Sequence, residues 1–225
     1  MAEEEAFVRL VAALLALGAV FRRSDIDTME DLEACLTNPH AEQCLTDPHA
    51  SLLQVHMEGA TNTTRGMAEI ITYTNISEGA ARFDHRPIAI WTESQWTEAW
   101  QHETKAGLQH ARTIGRRAKD RFCALIEGTR LSYAALTVED ELRTPYELRR
   151  KPDSGIFRDF YISGSYIGPA ALAEITALYA GAYIEPVADG VYVSCWGFLN
   201  PRGKRLTAGV YDKSVAVSRA IAAAR

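Results

Sequence analysis

Residues 168–198, GPAALAEITALYAGAYIEPVADGVYVSCWGF, set a helix against a β-hairpin, and this stretch decides the fold class. Gly168-Pro169 predicts a helix start, since proline is tolerated at the first helical position, and Gly181 is the glycine expected past a helix end. Beyond it, AYIEPV and VYVSCWGF flank Asp189-Gly190. Two β-rich runs around such a dipeptide are a strong short-range hairpin signal.

Upstream the texture alternates. Pro145, Pro152 and Gly155 bracket a charged stretch, ELRRKPDSG, which reads as a connector, and Phe157 to Ile162 reads as a strand. The longest helical pattern precedes it. Thr92-Glu-Ser-Gln95 has the capping-box arrangement. From there Trp96, Trp100, Leu108, Ala111, Ile114, Ala118, Phe122 and Leu125 repeat at helical spacing. Gly107 and Gly115 lie inside and allow one kinked helix or two. MAEIITYTNI and Pro87 to Trp91 read as strands. A last helix is expected from Asp212, as its cap, through Val215, Val217 and Ile221. Its pattern is still strong at Arg225, which suggests a chain that continues.

The first 21 residues contain an apolar run, AFVRLVAALLALGAVF, with Phe7, Leu10, Leu14, Leu17 and Phe21 at helical spacing. Glu3, Glu4 and Glu5 stand where a secretory signal is positively charged, and Arg9 interrupts the run. The run is also shorter than the roughly 20 apolar residues of a membrane span. A buried amphipathic helix, no membrane contact and a cytoplasmic setting are expected. Four scattered cysteines in 225 residues do not suggest a disulfide framework.

Between residues 35 and 52 one phrase occurs twice, CLTNPHAEQ from Cys35 and CLTDPHASL from Cys44. It places Cys35, His40, Cys44 and His49 in alternation, the right donor types for zinc, although C-x4-H-x3-C-x4-H matches none of the common spacings. The favoured reading is a duplicated helix start, Asn38-Pro39 and Asp47-Pro48 each being a cap followed by proline. The second start leads into a helix through Leu52, Leu53 and His56. No cofactor is expected.

The net charge of −5 hides a division. Residues 1–103 hold 17 Asp/Glu against 6 Lys/Arg, and residues 104–225 hold 12 against 18, so the halves carry −11 and +6. Much of the positive charge lies on the long helical pattern. Lys105, Arg112, Arg116 and Lys119 share one stripe, and His110, Arg117 and Arg121 another, with the apolar stripe between them. Cations on both shoulders of a helix suit a row of phosphates. Arg149, Arg150 and Lys151 add to the set, with Tyr146, Tyr161 and Tyr166 as candidate stacking rings. The competing reading is a solvated helix whose arginines pair with the acidic half.

These readings combine into an α+β protein with an acidic helical subdomain over 1–60 and a basic α+β domain over 61–225, with a further boundary near 145–155. The expected function is non-catalytic: binding of RNA or DNA, or assembly, through the basic helix, while the acidic part meets a protein partner or another copy. A second reading is a small immunity- or adaptor-type protein that binds a protein partner. A third is a hydrolase using the carboxylate pair Glu139 and Glu141 or a Cys–His pair.

Overall fold

The computed structural model describes residues 3–21, 28–37, 52–58, 68–74, 89–92, 104–136, 142–195 and 209–224. The fold is α+β, in two compact units, Met1–Gln95 and Trp96–Arg225.

In the first unit the N-terminal apolar run forms helix α1 (Glu3–Ala16), burying Phe7, Leu10, Val11 and Leu14 on one stripe. Gly18 turns the chain out of it at φ 87, where a side chain would be strained, and the Ala19 N–H closes back on the Leu14 carbonyl at 3.0 Å. Strand β1 (Val20–Phe21) follows. In helix α2 (Met29–Thr37), Thr28 acts as the cap, accepting from the Asp31 N–H at 3.1 Å and donating to the Asp31 carboxylate at 2.7 Å. Strands β2 (Leu52–Glu58), β3 (Ala68–Thr74) and β4 (Ala89–Thr92) complete an antiparallel sheet in the order β1-β2-β3-β4. The strands expected in MAEIITYTNI and before Trp91 are β3 and β4.

The helix expected through Leu52, Leu53 and His56 is instead strand β2, paired with β3 from Leu52↔Thr74 to Glu58↔Ala68. A seven-residue run such as LLQVHME satisfies either periodicity, and a long-range ladder decides it. Residues on both sides of position 60 therefore share one sheet. The prolines of the duplicated phrase lie outside the described residues.

The second unit is three-layered. Its sheet, in the order β5-β6-β8-β7, joins β5 (Tyr133–Ala135), β6 (Asp159–Ser163), β7 (Tyr183–Val187) and β8 (Gly190–Ser194), all antiparallel. Both central strands are buried along their length, so their two faces must both be covered. Alternation divides them. Phe160, Ile162, Val191 and Val193 meet Leu148, Ile175, Tyr179, Val217 and Ile221, whereas Tyr161 and Tyr192 meet Phe122 and Ile126. Helix α3 (Lys105–Thr129) thus lies on one face, and helices α4 (Pro145–Arg150), α6 (Pro169–Leu178) and α7 (Val210–Ala223) on the other. The one-turn α5 (Gly164–Ile167) links β6 to α6.

The stretch expected as a connector near 145–155 is packed structure. Thr144 and Glu147 form a complete capping box, Pro145 opens α4, and a short 3-10 turn (Pro152–Ser154) follows. Leu148, the one apolar anchor among the charges, is fully buried. Helix α7 begins with Gly209 at φ 68 rather than with Asp212, which sits in the first turn where its charge suits the helix dipole. Among the described residues no helix is long and apolar enough to cross a membrane.

Two serines on the buried side of α7 are opposites. The Ser214 hydroxyl accepts from the Phe157 N–H at 2.9 Å, whereas the Ser218 hydroxyl is fully buried with no partner among the described residues. A buried, unpaired hydroxyl retains its desolvation cost. Ser218→Ala is expected to raise stability by about 1 kcal/mol and Ser214→Ala to lower it by a similar amount. Urea unfolding of the two variants checks this, and a destabilised Ser218→Ala contradicts it.

Candidate nucleic-acid interface

Helix α3 is one continuous helix through Gly107 and Gly115. It starts at Thr104, whose hydroxyl accepts from the Gly107 N–H at 3.1 Å, and the Thr92–Gln95 box leads into residues outside the described set. It ends at Arg130, a left-handed cap at φ 54 whose N–H reaches the Ile126 carbonyl. Gly115, Ala118, Phe122, Leu125, Ile126 and Thr129 form its buried stripe. Phe122 meets the Tyr192 ring edge-on at 5.7 Å.

Away from that stripe, Lys105, Arg116 and Arg117 are exposed and Arg112 is half-buried. No Asp or Glu occurs between Lys105 and Lys119, so this part of the helix has no acidic partner one turn away on itself except Asp120 at its end. Lys119 is placed differently. Its ammonium lies 2.7 Å from the Glu185 carboxylate on β7 and 3.1 Å from Asp120, and 5.9 Å from the centre of the Tyr183 ring. Tyr183 donates to the same Glu185 oxygen. Burial alone would lower the Lys119 pKa, but the hydrogen bonds to Glu185 and Asp120 outweigh it and raise it. Those two bonds from Lys119 and Tyr183 hold the Glu185 carboxyl low. Lys119 ties α3 to the sheet edge. Arg121 is partly buried and has interactions of its own.

Arg149, Arg150 and Lys151 belong to the opposite layer. Arg149 donates to the Ala222 carbonyl at 3.3 Å, satisfying an end of α7, and Arg150 lies over the Tyr146 ring at 5.7 Å. The Lys151 N–H caps α4 on the Glu147 carbonyl. The sheet stands between these three cations and those of α3, so the nine residues do not form one surface. Two of the candidate stacking rings are also spent. Tyr161 is 0% exposed and donates to Asp189 at 2.8 Å, and Tyr166 stacks on Tyr133 at 6.0 Å with its hydroxyl on the Ile221 carbonyl.

Cys35 lies in α2, its side chain outside the described set, and His40, Cys44, His49, Glu139 and Glu141 all lie outside the described residues. Among the described residues no group of three or more His, Cys, Asp or Glu is placed to hold a metal. Cys123 and Cys195 are free thiols.

Two polar clusters were not legible in the sequence. Asp159, 3% exposed, accepts from the Tyr192 and Ser194 hydroxyls, the latter at 2.8 Å. Burial raises its carboxyl to about 7 against the pull of those two bonds. Asp189, at the hairpin loop, accepts from Tyr161, from the Ser163 hydroxyl at 2.7 Å and from the Ser165 N–H at 3.1 Å. Hydrogen bonds from Ser165 and Ser163 lead in holding it well below the usual carboxylate range. An acid at the start of an apolar strand was the only available signal for Asp159. Its burial depends on which face the strand turns to α3.

Comparison of the chain with models of known families, with curated proteins and with solved structures found no match.

Proposed function

We propose that the protein binds nucleic acid through the outward face of α3, in a binding or assembly role rather than a catalytic one. The observation that carries this reading is the acid-free cationic run from Lys105 to Arg117 on a helix whose C-terminal half packs on the sheet through Phe122 and Ile126. A helix laced with its own ion pairs would be satisfied by itself. This one carries net positive charge, which suits phosphates and gains from counterion release.

The partition of the cations fixes a quantity. With Lys105, Arg112, Arg116 and Arg117 as the phosphate contacts, log affinity against log salt is expected to fall with a slope of about −3 to −4 on duplex DNA, whereas nine acting together would give about −8. Replacing Arg112, Arg116 and Arg117 by Ala is expected to flatten the slope to about −1 and weaken binding at least 100-fold at low salt. Fluorescence anisotropy of labelled RNA and DNA across a salt series measures both. Unchanged binding by the triple variant would remove α3 as the contact surface.

A further inference from the structure

The outward face of α3 has an internal order beyond its charge. At 3.6 residues per turn, Lys105, Arg112 and Arg116 lie along one shoulder, and Arg117 lies about 100° around on the other. Between the shoulders runs a crest on which Ala106 and Gln109 are exposed and Thr113 is half-buried. Thr113 donates its hydroxyl hydrogen back to the Gln109 carbonyl at 3.0 Å. The crest is thus uncharged for two turns, with small residues at Ala106 and Thr113. Its first acid is Asp120, beside the point where Lys119 ties the helix to Glu185.

We infer that α3 seats in the major groove of B-form duplex DNA, its crest against the base edges and its two shoulders on the two phosphate backbones. This rests on the nucleic-acid reading above and names the ligand class. A helix about 10–12 Å across fits the B-form major groove, about 12 Å wide. A-form RNA closes that groove to side chains, and a single strand has no pair of backbones to match the two shoulders. Small residues on the crest let the helix approach, and the Gln109 amide is of the type that pairs with an adenine edge. Asp120 marks the end of the contact, since an acid there faces the electronegative groove. Single-stranded ligands are instead held by aromatic platforms in charged grooves, and two of the three candidate stacking rings, Tyr161 and Tyr166, are committed to contacts within the fold.

The test uses the full chain with a labelled 20-base-pair DNA duplex, each of its single strands and the RNA duplex of the same sequence, by anisotropy. Duplex DNA is expected to bind at least tenfold tighter than the other three. Gln109→Glu changes one exposed amide to an acid on the crest and is expected to cost at least tenfold on duplex DNA while far-UV circular dichroism stays unchanged. A ligand that occupies the major groove is expected to displace the protein, and a minor-groove ligand is not. Equal or tighter binding of single strands or RNA duplex, displacement only from the minor groove, or an unaffected Gln109→Glu overturns the groove seating and leaves the nucleic-acid reading standing. No binding to any of the four at low salt overturns both.

Discussion

Gly190→Ala is expected to destabilise the second unit by about 3 kcal/mol or more, a larger loss than a typical point substitution gives. A Cβ at this position would lie 2.0 Å from the Ile162 carbonyl oxygen and 2.8 Å from both the Ile162 carbonyl carbon and the Ser163 Cα. All three are backbone atoms of the central strand β6, so no side chain can swing aside. Relief requires pulling β8 away at the Ser163↔Gly190 pair, next to Ile162↔Val191. That register supports the core on both faces of the sheet. The glycine is not there for a left-handed backbone, since its φ is not positive. The hairpin loop is Ala188-Asp189, and it is Ala188 that takes φ 49. Ala188→Gly therefore serves as the comparison and is expected to gain up to about 1 kcal/mol. Urea unfolding of both variants separates the explanations. A Gly190→Ala protein within 0.5 kcal/mol of the parent would show that the strands yield at this contact.

The second large effect is a loss of stability as pH rises, centred on Asp159. Its carboxyl is buried under Tyr192 and Ser194, and among the described residues no salt bridge reaches it. The folded-state value of about 7 lies above the unfolded value near 4, so the fold prefers the protonated acid. The stabilising contribution is therefore complete below about pH 4 and is lost as pH rises to about 7, an effect on the order of 4 kcal/mol. Nearby groups do not titrate in that window. Burial pushes the Cys123 and Cys195 thiols up to about 11, and the Tyr192 hydroxyl is raised by burial and by the Asp159 charge. Asp189 and Glu185, both lowered, act with the opposite sign and lose their contribution as pH falls below the carboxylate range. Asp159→Asn, the neutral isostere, is expected to match the parent at pH 4.5 and exceed its stability at pH 8. Unfolding free energies of the two proteins at half-unit intervals give the difference curve. Parallel curves across pH 4–8 would sink the assignment.

Local chemistry in the sequence was enough for the α1 helix, strands β3, β4 and β6, helix α6 and the β7–β8 hairpin. Each is a short-range pattern of apolar period, cap or turn residue, and each acts over a few residues. The cationic run of α3 was equally visible, because 3.6-residue spacing assigns its shoulders without reference to anything else. Three matters were open until distant segments met. LLQVHME suits helix or strand, and pairing with β3 made it β2. Asp189-Gly190 resembles a turn dipeptide, but the approach of β6 made Gly190 a strand residue packed against backbone. The nine candidate cations look continuous along the chain, yet a sheet separates those of α3 from Arg149, Arg150 and Lys151, and Glu185 occupies Lys119. Propensity and periodicity act locally, so the α+β class and the charge on α3 could be read from the chain alone. Which cations share a surface and which carboxylate is buried depended on the folded arrangement, because desolvation and charge pairing involve neighbours far along the chain.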